Sequence, residues 1–129
     1  MSAEDLIAAV GREDIAEVKD LVRQRIDPLA EGIQGKTAVR VAFELGSTRA
    51  LGVFFRNGID PNAEANGFSL LWQALFWGKP EMVEYLIGRG ASVHVKHQGF
   101  PVFWWALMLK RENAAEVLLR NGADLNKNG

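Results

Sequence analysis

Residues 66–90 read NGFSLLWQALFWGKPEMVEYLIGRG. Asn66-Gly67 is a turn dipeptide. After it, Ser69 to Trp77 is an apolar run of helix length, broken at Gly78. Pro80 falls near a first-turn position, where its missing N–H costs nothing. Met82, Val83, Leu86 and Ile87 then stand at i, i+1, i+4 and i+5, one stripe of an amphipathic helix. Gly90 supplies the left-handed residue that stops it. The stretch spells turn, short helix, turn, longer helix, loop.

Working outward, the same grammar recurs at an offset of 32 residues. Gly35, Gly67 and Gly99 coincide, as do Ala42, Ala74 and Ala106, and Gly58, Gly90 and Gly122. Asn62 and Asn126 coincide, with His94 between them. A looser copy lies 33 residues upstream, where Ile26-Asp27-Pro28 stands against Ile59-Asp60-Pro61. Four units result: 1–33, 34–66, 67–98 and 99–129. In the first, Asp14 and Glu17 form a capping pair ahead of Val18, Leu21 and Val22.

A helix-turn-helix unit of this period with Asn-Gly openings resembles the ankyrin repeat. The endings Asn57-Gly58-Ile59-Asp60-Pro61-Asn62 and Asn121-Gly122-Ala123-Asp124-Leu125-Asn126 are similar to the family's Gly-Ala-Asp-Val-Asn tail. Val18-Lys19-Asp20-Leu21-Val22 and Met82-Val83-Glu84-Tyr85-Leu86-Ile87 look like its outer helix. The resemblance spans the whole chain. It implies an all-α solenoid of four ankyrin repeats in one domain, 1–129, with short β-hairpin-like loops between helix pairs. The family's Thr-Pro-Leu-His tetrad is altered to Thr37-Ala38-Val39-Arg40, Ser69-Leu70-Leu71-Trp72 and Pro101-Val102-Phe103-Trp104, so every unit lacks its histidine.

Composition narrows the function. The 129 residues are 48% apolar and 24% charged, an ordinary globular balance, and the net charge of −1 gives no general attraction for nucleic acid or anionic membrane. With no cysteine and only His94 and His97, thiolate chemistry and most metal sites are excluded. The start Met-Ser-Ala-Glu-Asp-Leu is acidic where a signal peptide is basic. Phe68 to Trp77 and Phe100 to Leu109 are the longest apolar runs, each about half the roughly 20 residues of a membrane span. A soluble, cytoplasmic protein is expected.

Spacing separates two faces of the inner helices. Val39, Ala42 and Phe43, with Leu71, Ala74 and Leu75 and with Phe103, Ala106 and Leu107, form the expected core face. The other face runs Ala8, Gly11, Arg12; Val41, Glu44, Leu45; Gln73, Phe76, Trp77; and Trp105, Met108, Leu109. The resemblance implies that this face, with Lys36, Phe68 and Phe100 after the opening glycines, lines a concave binding surface. The expected protein-binding residues are Leu45, Phe68, Phe76, Trp77, Phe100, Trp105, Met108 and Leu109. Half exposure of the aromatic members alone would leave roughly 400–600 Å² of apolar surface, as large as patches that mark interaction sites. Trp72 and Trp104 are read as core filler.

Catalytic signatures are weak. Ala30-Glu31-Gly32-Ile33-Gln34-Gly35-Lys36-Thr37 approaches a phosphate-binding loop, but its first glycine is missing and residues 15–25 read as helix where a strand is needed. His94 occupies the asparagine column and reads as a hairpin hydrogen-bonding residue; His97 reads as solvated at a loop tip. The expectation is therefore a non-enzyme with no cofactor and no metal, binding another protein. The resemblance extends to stand-alone inhibitors and toxin-neutralising immunity proteins. The alternative is a homo-oligomer that closes through the same apolar surface or the C-terminal repeat.

Overall fold

The computed structural model describes residues 2–77 and 79–123. Two compact units are present, Met1–Asp60 with Glu64–Gly67, and Pro61–Ala63 with Phe68–Gly129. Each holds two helix pairs.

In the first unit, α1 (Ala3–Gly11) and α3 (Ala38–Leu45) are the inner helices, and α2 (Ile15–Arg23) and α4 (Thr48–Arg56) the outer ones. Helix α1 packs on α2 and α3, and α4 packs on α2 and α3. Leu6, Val10, Val18, Leu21, Phe43, Leu51 and Phe54 fill the interior. Side chains start the helices: the Asp14 carboxylate accepts the Glu17 N–H, Thr37 Oγ1 the Arg40 N–H and Ser47 Oγ the Ala50 N–H, at 3.2, 3.0 and 3.2 Å. Thr37 is buried, so its hydroxyl is committed to the cap rather than to a phosphate or metal. The near-miss phosphate loop is instead a tight turn at Ile33–Gly35, closed by the Gly32 N–H donating to the Lys36 carbonyl at 2.7 Å. A two-residue strand, β1 (Glu64–Ala65), completes this unit.

The second unit opens with β2 (Phe68–Ser69) and continues with α5 (Leu70–Phe76), α6 (Pro80–Gly88), β3 (Lys96–His97), β4 (Phe100–Pro101), α7 (Val102–Met108) and α8 (Glu112–Arg120). Ser69 Oγ caps α5 by accepting the Trp72 N–H at 3.1 Å, and Pro80 stands in the first turn of α6 as its ring geometry favours. Helix α5 packs on α6 and α7, and α8 on α6 and α7, around Leu70, Leu71, Leu75, Met82, Leu86, Val102 and Leu118. Strands β3 and β4 pair antiparallel, His97 opposite Phe100, around the Gln98-Gly99 turn. Both central residues have positive φ, 52° and 83°, the signature of the primed turns that close short hairpins. Asn62 steadies the next loop: its side chain donates to the Gly90 carbonyl at 3.1 Å and accepts the Ser92 N–H at 2.8 Å.

The described residues thus hold four helix pairs, two in each unit. The core face is corrected at one end. Phe103 is half-buried and Leu107 is 43% exposed, whereas Leu75, one period earlier, is 0% exposed because α7 covers its face. On the face read as outward, Val41 and Gln73 are buried. The Gln73 amide turns back to donate to the Phe68 carbonyl at 3.1 Å. The break at Gly78 and the Asn126 member of the asparagine column lie outside the described residues.

Candidate functional site

The second unit carries two parallel rows of rings. Phe68, Trp72 and Phe76 stand at i, i+4 and i+8 along β2 and α5, with successive ring centres 5.1 and 4.9 Å apart and nearly parallel planes. One repeat on, Phe100 stacks on Trp104 at 4.2 Å, and Met108 occupies the place corresponding to Phe76. The rows exist because the residue before each N-cap is extended and lies directly beneath the first helical turn, so its ring meets the one four residues later. Trp77 stands edge-on to Phe76 at 5.2 Å.

His97 joins the first row to Trp105. Its imidazole lies 4.2 Å from the Trp72 ring, 5.0 Å from Phe68 and 5.5 Å from Trp105, centre to centre. It is therefore half-buried among rings, and the expectation of a solvated loop-tip histidine is corrected. Its backbone carbonyl accepts the Trp105 indole N–H at 2.8 Å, which fixes that ring against the hairpin. His94 is exposed, its backbone N–H donating to Ser92 Oγ at 3.1 Å. The residue standing to His94 as Ser92 stands to Asn62 is Asp124, outside the described residues.

The expected surface residues fall into distinct places. Phe76, Phe100 and Met108 are 40, 46 and 56% exposed, large values for apolar side chains. Phe68, which begins the first row, is half-buried, as are Trp77, Trp105 and Leu109. Leu45 is also exposed, but it belongs to the first unit, at the end of α3. Trp72 and Trp104 are corrected: they are not core filler but the half-buried centres of the rows. Counting i, i+3, i+4 from Gln73 passed over them. Extending the repeat columns would have found them, because Phe68/Phe100 and Trp72/Trp104 coincide at the repeat offset. The corresponding row in the first unit is Lys36, Arg40 and Glu44, polar throughout, with Arg40 and Glu44 paired at 4.0 Å.

Two polar details complete the site. The Trp72 indole N–H is shielded from solvent and has no hydrogen-bond acceptor among the described residues. Arg111, ahead of α8, donates to the Phe76 carbonyl at 3.1 Å and so holds the end of α5. The described residues contain no cluster of three or more metal-ligating side chains, and no helix long and apolar enough to cross a membrane. What the arrangement offers chemically is a ridged apolar surface bordered by indole and imidazole edges.

Residues 58–129, more than half of the chain, match the family model for ankyrin repeats in three copies. No curated protein matches the chain. The matched region begins at Gly58, the first of the three aligned glycines that follow an outer helix; the first helix pair carries Arg25 there instead.

Proposed function

The chain belongs to the ankyrin-repeat family, whose members are general protein–protein interaction modules, and we propose that it grips a partner protein through the ring rows of its second unit. One observation carries this reading: Phe76, Phe100 and Met108 stay exposed although they extend rows of stacked rings. Exposed aromatic anchors beside half-buried ones are what binding hot spots are made of. Phe68, Trp77, Trp105 and Leu109 would form the shielding margin, and Leu45 an outlying contact. Such a module acts by masking or holding its partner, as stand-alone inhibitors and immunity-type proteins do, and needs neither cofactor nor metal.

The test is affinity capture from the native host, followed by binding of the purified partner to wild type, Phe100→Glu, Met108→Glu and Leu119→Glu. All three positions are exposed, so the substitutions leave the core intact. Loss of binding in the first two alone supports the ring rows. Unchanged binding in both overturns them.

A second reading is favoured by Leu107 and Leu119, both exposed on the last helix pair: a homodimer closing through that repeat. Sedimentation over a concentration series separates the two, since a dimer of this kind dissociates in Leu107→Glu.

A further inference from the structure

The first unit has a different chemistry on its outer helices. Between α2 and α4 lies a hollow of about 390 Å³ lined by Lys19, Arg23, Val53, Arg56 and Asn57. Three of these five side chains are cations and none is a carboxylate. A second hollow of about 510 Å³ shares Arg23 and Asn57, and adds Arg25 and Asp27 on its rim. None of Lys19, Arg23, Arg25 and Arg56 forms an ion pair among the described residues. The nearby carboxylates have other partners. Asp20 accepts from the Gln24 amide at 3.1 Å, and Asp27 accepts the Leu29 N–H at 2.9 Å.

Arg25 adds an observation of a separate kind. It has φ of +68°, in the left-handed region that side chains resist. In the three later repeats that position is Gly58, Gly90 and Gly122, with φ of +100°, +103° and +95°. The first repeat alone holds an arginine there, and that arginine lines the larger hollow, which shares Arg23 and Asn57 with the basic one. Arg25 thus places a cation where the later repeats carry no side chain.

We propose that the α2–α4 hollow is a binding subsite for a phosphate monoester, with Lys19, Arg23 and Arg56 around the phosphate and Arg25 at its edge. A phosphate monoester brings nearly two negative charges and three acceptor oxygens, matching two guanidinium forks and an ammonium. A single carboxylate, with one charge and two oxygens, leaves cations unmatched. Asp27 repels an anion from the larger hollow, so the phosphate sits in the smaller one. The subsite is independent of the ring rows, and either assignment can fail without the other.

The experiment titrates the isotope-labelled full chain with inorganic phosphate and, separately, with a short phosphoserine peptide and its unphosphorylated form, at constant ionic strength, reading amide shifts by NMR. Saturable shifts confined to residues 19–27 and 53–59 are expected. Arg23→Gln and Arg56→Gln should each weaken binding about tenfold, the loss of one charge-assisted hydrogen bond. Arg25→Gly should weaken binding while leaving the melting temperature unchanged or raised, because it installs the residue that the other repeats use. That opposite pair of effects separates a ligand-binding role from a structural one. A peptide that binds more tightly than inorganic phosphate assigns the phosphate to a modified polypeptide; equal affinities assign it to a small phosphate ester. Non-saturating shifts, or affinities unchanged in both glutamine variants, overturn the subsite.

Discussion

The imidazole of His97 and the indole of Trp72 lie 4.2 Å apart, centre to centre, with their planes tilted by 36°. One ring sits on β3 of a hairpin and the other on the inner helix of the same repeat, so a ring contact ties the hairpin back to the helix. His97→Ala removes that tie and should lower stability by about 1 kcal/mol, the scale of an aromatic pair. His97→Phe should retain most of it. Urea unfolding midpoints decide, and equal midpoints for wild type and the alanine variant would show that the stack contributes nothing.

Trp105→Phe keeps a ring but deletes the indole N–H that donates to the His97 carbonyl. The expected cost is about 0.5–1.5 kcal/mol. The effect should be local: hydrogen exchange should quicken at residues 96–101 and stay unchanged in α6. Uniform acceleration across the unit would contradict the assignment.

The Trp72 indole N–H is buried without an acceptor among the described residues, a situation that costs a folded chain about 1–3 kcal/mol. Trp72→Phe removes that donor while keeping a stacked ring, so lost area and relieved desolvation oppose each other. Stability should change by less than about 1 kcal/mol, in contrast to a loss of roughly 2 for Trp72→Ala, less than at a fully buried ring. Thermal unfolding of the two variants side by side makes the comparison.

Leu118 and Leu119 are neighbours on α8, one buried and the other 57% exposed. Leu118→Ala should cost about 2–5 kcal/mol through the cavity it leaves, and Leu119→Ala within about 0.5. Chemical denaturation of both tests the helix phase directly. Comparable losses would mean that α8 is rotated about its axis.

Much of the architecture was legible because it rests on short-range periodicity. Stripes such as Met82, Val83, Leu86 and Ile87, the Asp14 cap and the Gly90 stop are set within one or two helical turns. The repeat offset then placed four helix pairs. The ring rows were less legible because Phe68 and Phe100 lie outside the helices, in extended residues whose side chains meet the next turn only after the N-cap bends the chain. Trp72 and Trp104 were read as interior from their places in the lost-histidine column, but stacking on one side leaves the other side of a large ring open. His97 was misplaced for a related reason: a loop residue's burial depends on rings distant in sequence, here Phe68, Trp72 and Trp105, which local sequence does not encode. The basic hollow escaped notice because Lys19 and Arg23 alternate with acids along the helix, and only α4 brings Arg56 to them.

The uncovered flank of α7 has one more consequence. Leu71 and Leu75 are sealed by α7, while Phe103 and Leu107, their counterparts, meet no such neighbour among the described residues. Length in this unit is consequently an adjustable quantity rather than a fixed one. A duplicate of residues 92–123 grafted behind Ala123, the counterpart of Ala91, would find its seat already shaped, and each added module would raise the melting temperature until the gain levelled off. Growth by copying is built into the period.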